Sequence, residues 1–592
     1  MKNFVKAAAI ALLPLLAACA GSGPVASTPA GQTARPVTIG IAAINDFHGA
    51  LEVPRTAVTI GNDAGGTTAI PAGGAAYLAS AVDSIKARYP NHLTVAAGDL
   101  IGATQLSSSL FLDEPAIGVM NRIGLDFNAV GNHEFDRGRD ELKRKASGGC
   151  AKYTLLTPCR LEKFSGAGFT YLAANSIEPD GKTLFAPSAI RSFGKGRQKV
   201  KIGLIGLTLK ATADLSSREG LKGIRFADEA ETVNALIPRL KAQGADAIAV
   251  LIHQGGYTKG DRPDPSQCPN LTGEIRAVLD RLDPRVDLVI SGHTHWAYVC
   301  DYAQYNPARP FLLTSAGVSG QLVTDISLDI DPLLHKVVAK RASNVIVQNQ
   351  GYQGKAGLVA PSNLAAQFAP RADVAAYVAR YVDAAKLEIQ RPAGKLAGEV
   401  SRPGGDSAKG GGSLGSLIAD AQLAATRGAG AQIAFMNPFG IRSPHQIVPD
   451  QGKVTYGMLY AVQPFNNGLV TQTLSGAELK AVLEEGLDEN QPKQMLSPSV
   501  GFEFDFDLSR PAGQRITAMR LNGQPIDPAG SYRVTTNSFL ANGGDSFATL
   551  AKQREAAISP LTDLDALEAW LSGAEPRAVP AEQRVFDKTP AP

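Results

Sequence analysis

Residues 127–136 read FNAVGNHEFD. The apolar start of this segment has the length and composition of a buried strand, and it stops at Gly131-Asn132-His133-Glu134. Residues 202–207 have strand character without such an ending. Because short apolar runs alternate with helical or loop segments, we predict an α/β domain. Four other runs also stop at potential metal ligands: 37–44 before Asn45-Asp46-Phe47-His48, 92–97 before Gly98-Asp99, 247–252 before His253-Gln254-Gly255-Gly256, and 286–290 before Ser291-Gly292-His293-Thr294-His295.

The side chains at these five endings share one chemistry, that of hard oxygen donors and imidazole nitrogens. Open α/β sheets form sites beyond the carboxyl ends of their strands, so we expect these side chains to converge. Such donors, without thiolate, suit Zn²⁺, Mn²⁺, Fe or Co. They are too many for one ion, but two ions that share a carboxylate could clamp an in-line displacement at phosphorus. The candidates are Asp46, His48, Asp99, Asn132, His133, His253, His293 and His295, which include five of the eight histidines of the chain.

Length and charge exclude several classes of protein. With 592 residues the chain exceeds one compact core, so several domains are expected. The net charge of 58 − 55 = +3, with 19% charged and 44% hydrophobic residues, argues against wholesale disorder and against a surface built to coat nucleic acid. No nucleic-acid partner is therefore expected.

The first 36 residues have the features of a bacterial lipoprotein. Residues 1–18 are typical of a signal peptide, because two lysines precede a short apolar run, and the Leu-Ala-Ala before Cys19 resembles the lipoprotein cleavage box. We therefore predict a lipidated Cys19 and a flexible tether over residues 19–36, with ordinary secretion as the alternative. The expected location is the cell envelope, lipid-anchored and facing the periplasm. Ala20 provides no inner-membrane retention signal, which favours the outer membrane.

Four further cysteines, an even number in an exported chain, favour two disulfides. Three pairings are possible. We favour Cys150 with Cys159 and Cys268 with Cys300, because each pair closes a local loop. Zinc binding by all four is the rival interpretation, but no C-x-x-C spacing supports it.

Patterning divides the remaining chain into four parts. We predict a catalytic domain over 37–345, a linker over 346–394, a second domain over 395–571 and an exposed proline-rich tail over 572–592. Within the linker, apolar residues at helical spacing predict a connecting helix over Ala372–Ile389.

One glycine-rich segment and three histidines are not expected to take part in catalysis or binding. The segment GGGSLG, residues 410–415, matches a dinucleotide-binding pattern literally, but no convincing strand precedes it and no acidic residue follows about 20 positions later. We expect a flexible loop there. His92, His335 and His445 lack the strand-end context and are expected at the surface or in loops. No G-x-x-x-x-G-K-[ST] segment occurs, which excludes P-loop transfer. The one literal G-x-S-x-G, at 411–415, lies in the same glycine-rich segment that no convincing strand precedes, so a serine nucleophile is not expected there.

The five endings in this order resemble the motifs of the calcineurin-like metallophosphoesterases. A lone Asp-x-His is mostly an accident, but the ordered set covers residues 37 to about 330. With Asn-Asp-Phe-His-Gly, Gly-Asn-His-Glu-Phe-Asp and motifs near the C-terminus, the chain resembles the two-domain 5′-nucleotidase and UDP-sugar hydrolase family. The resemblance implies an α/β fold: a four-layer αββα sandwich, then a helix and an α+β specificity domain.

The resemblance also implies roles for the candidates. One metal would bind Asp46, His48, Asp99 and His295, and the other Asp99, Asn132, His253 and His293, with Asp99 as the bridge. A hydroxide between the metals would attack phosphorus without a covalent phosphoenzyme. His133 would stabilise the developing charge or protonate the leaving oxygen, and Asp136 would hold its tautomer. The identity of the two divalent ions, Zn, Mn, Co or Fe, stays open.

In the second domain, three motifs resemble substrate-recognition elements of the family. Phe465 and Phe539 would form the walls of a slot for the nucleobase, since aromatic faces stack on any base. Arg442 would contact phosphate or ribose oxygens, and Asn437 and Asp545 the base or sugar. Three positions depart from the family pattern: Pro438-Phe439 precedes Gly440, Gly415-Ser416-Leu417 replaces Gly-Asn-Leu, and the upstream basic candidates Arg402 and Lys409 have no clean match.

The function implied is an exported two-metal hydrolase that converts nucleoside 5′-monophosphates to nucleoside and phosphate. A hinge rotation would bring the two domains together around the substrate. The alternatives are cleavage of UDP-sugars or dinucleotide pyrophosphates, of 2′,3′-cyclic nucleotides, or of sulfur esters. A further alternative, from another class, is a non-catalytic nucleotide-binding surface lipoprotein. The oligomeric state stays open.

Overall fold

A computed structural model describes residues 35–590, apart from 63–64, 155, 216–220, 222, 355–356, 404–409, 443 and 489–492. The predicted signal peptide, Cys19, almost all of the tether and Lys409 lie outside the described residues. None of the helices in the described ranges has both the length and the apolar character that crossing a membrane requires.

The N-terminal domain contains strands β1–β18 and helices α1–α7. The strands are Val37–Ile44, Ala57–Gly61, Thr67–Pro71, His92–Ala96, Phe127–Ala129, Thr170–Leu172, Ser176–Ile177, Ser188–Phe193, Val200–Leu207, Arg225–Phe226, Ala247–Ile252, Leu288–Ser291, Ala297–Asp301, Leu312–Ala316, Leu322–Asp331, Lys336–Ile346, Tyr352–Gly354 and Gly357–Val359. The helices are Ala75–Lys86, Leu106–Ser109, Glu114–Ile123, Arg139–Ser147, Thr212–Leu215, Glu229–Ala242 and Ile275–Leu279.

Two six-stranded sheets pack face to face in this domain. Their strand orders are β16-β15-β1-β4-β5-β6 and β13-β14-β12-β11-β9-β8. Apolar residues of both sheets, such as Ile41, Val95 and Leu251, form one core between them. On the outer faces, α1 and α3 cover the first sheet and α6 and α7 the second. The four layers are the αββα sandwich that the resemblance implies, and that expectation is confirmed.

The inner strands are apolar on both faces because each lies between the other sheet and a helical layer. Strand β1, VTIGIAAI, is buried along almost its whole length. Strands β1, β4 and β5 run parallel in one sheet, and β11 and β12 run parallel in the other. All five motif-bearing runs are strands, as predicted. The run at 202–207 belongs to β9, which also pairs in parallel with β11.

Helix α8, Ala372–Gln390, connects the two domains where apolar periodicity predicts a helix. Its face of Val374, Tyr377, Tyr381 and Ala385 packs into the helical layer on the first sheet. The helix therefore belongs structurally to the N-terminal domain along most of its length.

The C-terminal domain has the mixed α+β architecture that the resemblance implies. A five-stranded sheet has the order β25-β21-β29-β24-β30 and a four-stranded sheet the order β28-β27-β26-β31. Strands β19–β31 are Pro392–Lys395, Val400–Ser401, Ile433–Met436, Gln446–Ile447, Lys453–Thr455, Gly468–Ser475, Ser497–Pro498, Phe502–Phe506, Ile516–Leu521, Gln524–Pro525, Ser531–Asn537, Ala557–Thr562 and Val585–Asp587. Helices α9–α13 are Gly412–Thr426, Tyr456–Val462, Gly476–Glu485, Ser538–Ala541 and Asp563–Leu571.

One expectation for this domain is wrong. The segment expected to be a flexible loop contains the first turn of α9, which begins at Gly412. Gly415 fits there because a Cβ atom would lie 2.4 Å from Ser497 Oγ. Most described residues of the tail are exposed, but β31 within it pairs in parallel with β26, and the buried Arg584 binds Asp420. Local composition cannot predict the close packing at Gly415 or the long-range ion pair of Arg584.

Disulfides join Cys150 to Cys159 and Cys268 to Cys300, the pairing that sequence spacing favours. Their Cα atoms are 5.6 and 5.1 Å apart. The first disulfide closes the loop that follows α4, and Cys300 of the second belongs to β13. All four of these cysteines are thus occupied, which rules out their shared zinc site.

The domains meet through the short helix α2. Leu106 and Leu110 pack into the hydrophobic core of the C-terminal domain, together with Leu396 and Tyr460. Helix α2 follows the Gly98-Asp99 motif closely in the chain. This contact therefore places the C-terminal domain directly beside the carboxyl edge of the two sheets.

Candidate metal centre

Seven predicted metal ligands converge at the common carboxyl edge of the two sheets. They separate into two groups that adjoin each other. The first group comprises Asp46, His48 and His295, and the second comprises Asn132, His253 and His293, with Asp99 between them.

In the first group, two imidazole nitrogens and a carboxylate oxygen face one point. His48 Nε2 lies 3.0 Å from His295 Nε2. Asp46 Oδ1 lies 3.5 Å from His295 Nε2 and 3.9 Å from His48 Nε2. All three side chains could offer one atom each to the same cation.

In the second group, the Asn132 side-chain oxygen is the centre of the contacts. Asn132 Oδ1 lies 3.0 Å from His253 Nε2 and 3.1 Å from His293 Nδ1. Asp99 Oδ2 is 3.0 Å from His253 Nε2 and 3.9 Å from His48 Nε2. Asp99 is therefore the carboxylate that both groups can reach.

Five of these residues adopt left-handed backbone conformations that disfavour most side chains. The φ angles are 47° for Asp46, 47° for His48, 50° for Asp99, 71° for His293 and 60° for His295. Each such conformation costs about 1–3 kcal/mol and persists only where the surrounding structure enforces it. Strain concentrated on one set of polar side chains is typical of a functional site.

Two neighbours that sequence analysis did not single out hold the strained turns. Glu134 accepts hydrogen bonds from the backbone N–H groups of Asp99 and Leu100, both at 2.9 Å, and of Gly131 at 2.7 Å. Asn45 donates to Asp46 Oδ2 at 2.7 Å. Both residues lie inside the quoted motifs, and that position could have identified them. Most of the partners of Glu134, however, are distant in sequence.

Second hydrogen bonds fix the orientation of two imidazoles. His48 Nδ1 is 2.8 Å from the carbonyl oxygen of Gly102, and His253 Nδ1 is 2.8 Å from that of Ala97. Because a carbonyl can only accept, each Nδ1 carries a proton. The Nε2 atom of each ring then points toward the centre, as is usual for metal-binding histidines.

Burial sets the charge of most groups at the centre. It lowers the pKa of both His48 and His293 to about 3, so these imidazoles are neutral. Burial, with the nearby Asp99 charge, raises the pKa of Asp46 to about 7. Burial opposes a charge on His253, but the Asp99 and Asp46 carboxylates outweigh it and raise the pKa of His253 to about 10.

The donor set fits two divalent cations. Neutral imidazoles, carboxylates and an amide oxygen converge without thiolate, as Zn²⁺, Mn²⁺, Co²⁺ or Fe sites require. Buried carboxylates beside lone-pair nitrogens need a compensating positive charge, which His253 carries as a proton when no metal is bound.

His133 and Asp136 lie at the rim of this centre. His133 Nδ1 is 2.8 Å from Asp136 Oδ2, and the His133 backbone N–H donates to Asp99 Oδ1 at 2.9 Å. Gly102 leaves the space for this pair, since a Cβ atom there would lie 2.5 Å from His133 Cβ. Burial opposes protonation, but the charges of Asp136 and Asp99 raise the pKa of His133 above its ordinary value.

The C-terminal domain contributes residues to the same cleft. The Phe465 ring stacks on His133 at 5.8 Å with an angle of 14°, and the Arg442 guanidinium lies 5.7 Å from the Phe465 centroid. A separate polar pair forms where Asn437 Nδ2 donates to Asp545 Oδ2 at 2.7 Å.

Phe539 lies on the chain segment that carries Asp545. A Cβ atom at Gly544 would lie 2.6 Å from the Phe539 ring, so the ring packs flat against this glycine. Asp545 has a left-handed φ of 55°, and burial raises its pKa to about 6. The structure therefore places Phe465 and Arg442 at the metal centre, and the other three predicted substrate residues in a second cluster.

The departure from the family pattern at Pro438-Phe439 forms a short 3₁₀ helix, Pro438–Gly440. The buried Arg402 lies over the Phe439 ring at 5.7 Å and donates to the Ile441 carbonyl at 3.1 Å. His445 is half-buried in a loop, and burial, with the charges of Arg402 and Arg442, lowers its pKa to about 4. His445 therefore lies in a loop, as expected.

Comparison with known proteins accounts for both domains. Residues 39–297 match the calcineurin-like phosphoesterase model, and residues 392–552 match the 5′-nucleotidase, C-terminal domain model. The chain belongs to the two-domain 5′-nucleotidase family. This is a family of metal-dependent phosphoester hydrolases. The resemblance inferred from the motifs is thus confirmed.

Individual relatives extend along nearly the whole chain. Endonuclease YhcR of Bacillus subtilis is 29% identical over 557 residues, 93% of this chain, which spans only 41% of YhcR. Cell wall protein Lmo0130 of Listeria monocytogenes is 28% identical over 574 residues, 92% of this chain and 68% of that protein. A crystal structure of a 5′-nucleotidase precursor from Thermus thermophilus is 26% identical, with a TM-score of 0.69 and coverage of 94% of this chain and 100% of that one.

Metal binding is expected to displace the proton of His253. Because the pKa of His253 is about 10 and that of Asp46 about 7 without metal, Mn²⁺ binding at neutral pH should release about one to two protons and weaken about tenfold or more per pH unit of acidification. Titration calorimetry of the metal-free chain in two buffers of different ionisation enthalpy measures both. The exposed His92→Ala variant serves as control, and an affinity independent of pH would contradict the expectation.

Removing the Asp136 charge is expected to move the pH profile. Since that charge raises the pKa of His133, Asp136→Asn should lower it, so protonated His133 disappears at lower pH. The alkaline limb of kcat for AMP, whose 5′-alkoxide leaving group needs that proton, should then shift to lower pH. Asp140→Asn, on α4, is the matched control. An unmoved limb in Asp136→Asn would mean that Asp136 does not act through His133.

Proposed function

We propose that the chain hydrolyses nucleoside 5′-monophosphates to nucleoside and phosphate. One observation carries the proposal: Phe465 of the C-terminal domain stacks on His133 at the edge of the candidate metal centre. His133, which would act on the phosphate ester, and the Phe465 ring, which suits stacking on a base, are therefore close enough for one small ligand to contact both.

Two divalent cations would be held by the two groups of donors, with Asp99 between them. Asp46, His48 and His295 would hold one, and Asn132, His253 and His293 the other. When bound, such ions neutralise phosphate charge and make water nucleophilic at neutral pH. The left-handed backbone of five of these residues would position their donor atoms before any cation arrives.

His133 would act on the leaving group. Its Nδ1 is engaged by Asp136, so Nε2 is the atom that can hold a proton toward the cleft. The charges of Asp136 and Asp99 raise the pKa of His133, which favours the form that carries this proton. As the bond from phosphorus to the 5′-oxygen breaks, this imidazolium would neutralise the developing charge and transfer its proton to the oxygen.

The C-terminal domain would recognise the nucleoside. Phe465 and Phe539 would stack on the base, while Asn437 and Asp545 would bind base or sugar. Arg442 lies between this domain and the centre, where burial lowers its pKa while the nearby carboxylate charges favour its cationic form. It would therefore contact the phosphate or ribose oxygens.

Because the two ends of the substrate would bind on different domains, entry and release require the domains to separate. The contacts between them include those of α2, a helix of only four residues, of α5 with the turn Gly544–Ser546, and of Phe465 with His133. We infer that rotation about α8 opens the cleft and that these contacts re-form on closure.

The proposed location is the bacterial cell envelope, with the chain anchored through lipidated Cys19. A relative named as a cell wall protein supports an envelope location. The two disulfides suit an oxidising compartment. The two family matches support the proposed division of the chain into a catalytic part over 37–345 and a specificity part over 395–571.

Loss of the shared carboxylate is expected to abolish turnover. Asp99→Ala should reduce phosphate release from AMP by about 10³-fold or more, because both proposed cations lose a ligand. Phosphate release in metal-free and Mn²⁺-supplemented buffer measures this, with the exposed Asp180→Ala as control. If wild-type chain loaded with Mn²⁺ bound AMP without releasing phosphate, a non-catalytic binding protein would be the better account.

Truncation of the base platform is expected to separate binding from chemistry. Phe465→Ala should raise KM for AMP about 10-fold or more, since base stacking contributes roughly 1–3 kcal/mol. Ribose 5-phosphate has the same kind of ester but no aromatic ring, so its kcat/KM should change far less. Phe586→Ala, on β31, is the control. Equal losses on both substrates would show that Phe465 supports the metal centre rather than the base.

A further inference from the structure

The tip of the hairpin between β15 and β16 exposes two adjacent leucines. Leu333 is 53% exposed and Leu334 is 60% exposed. Val338, on β16, is also exposed. Single exposed leucines are common on protein surfaces, but two consecutive exposed leucines at a strand turn form an apolar tip suited to contact with another surface.

The turn holds these leucines in a fixed conformation. Asp331 Oδ1 accepts hydrogen bonds from the backbone N–H groups of Leu333 and Leu334, at 2.8 and 3.0 Å. His335, with a left-handed φ of 51°, places Nδ1 2.6 Å from Asp246 Oδ1 at the start of β11. The tip is therefore tied to both sheets, and the leucines remain exposed despite this anchoring.

The hairpin tip adjoins the point where the described chain begins. Val37 pairs with Ile330, one residue before Asp331. Arg35 and Pro36, both exposed, precede this strand. The candidate metal centre follows the other end of the eight-residue β1, about 25 Å away at the usual rise per residue.

A basic turn lies beside the same tip. Lys195, Arg197 and Lys199 are exposed in the connection between β8 and β9. The connection reaches the tip through Asp246, because the Lys201 backbone N–H donates to Asp246 Oδ2 at 2.7 Å. In the described part of the chain, the three basic residues and Lys336 of the tip form no ion pair.

We propose that this edge, formed by Arg35, Leu333, Leu334, Lys336 and the basic turn at 195–199, docks on a bilayer that contains anionic phospholipid. The leucines enter the interface between headgroups and acyl chains, and the surrounding cations contact lipid phosphates. The metal centre then faces away from the membrane. This surface is independent of the phosphohydrolase activity.

Charge favours lipid over a second copy of the chain at this edge. A symmetric dimer through the tip would bring the cations of one copy against those of the other, which is unfavourable. An anionic bilayer complements all of them at once. It also lies on the side where the predicted tether from Cys19 would enter the fold.

The test uses the full chain carrying Leu334→Trp and vesicles of phosphatidylglycerol with brominated phosphatidylcholine, whose bromine quenches tryptophan in the bilayer. The control is Ile558→Trp, at a position that is 79% exposed on β30 of the C-terminal domain. Trp296 and Trp570 contribute equally to both, and any lipid anchor is common to both. We expect strong quenching of Leu334→Trp only. Quenching no greater than in Ile558→Trp would overturn the proposal.

A charge series separates docking from simple adsorption. In the Leu334→Trp chain, Arg197→Glu and Lys199→Glu should weaken vesicle binding about five-fold or more for each position, and added salt should do the same. Hydrolysis of bis(p-nitrophenyl) phosphate should stay unchanged, which verifies folding. Quenching that persists without phosphatidylglycerol, or dimers that already cover the substituted hairpin tip before vesicles are added, would also refute lipid docking.

Discussion

Asp99 is the side chain on which the arrangement of the centre depends. Its carboxylate faces His253 on one side and His48 on the other, while its second oxygen accepts the backbone N–H of His133. Burial alone would raise the pKa of Asp99, but the charges of His253 and His133 hold it well below its usual range. One buried anion thus links the two donor groups and the proposed proton donor.

Such a buried anion can exist only inside a preformed set of partners. Burying a carboxylate without compensation would cost several kcal/mol, so the fold must supply donors from several directions. Glu134 secures the backbone of Asp99 and Leu100, and left-handed turns aim the ligands inward. The rigid surrounding sheets therefore stabilise both unfavourable features, the left-handed backbone and the buried charge.

The second domain completes this site rather than merely adjoining it. Leu106, from the segment that follows Asp99, belongs to the C-terminal core, and Phe465 returns from that domain to stack on His133. Phosphate chemistry and nucleoside recognition would thereby be divided between two domains that meet beside the candidate metal centre. Division of this kind favours a substrate that is charged at one end and aromatic at the other, as nucleotides are.

Local sequence was sufficient for the strands, the connecting helix and the candidate ligands, because apolar runs that stop at Gly-Asp or Gly-Asn-His record both the strand and its loop. Spacing was also sufficient to favour the disulfide pairing, since each pair closes a short loop. The helix start at Gly412 and the role of Arg584 depend on Ser497 and Asp420, which are distant in sequence. Likewise, the stacking of Phe465 on His133 and the link through Asp246 between the hairpin tip and the basic turn exist only after folding. Contacts between remote segments arise from packing geometry, and no periodicity or local motif encodes them.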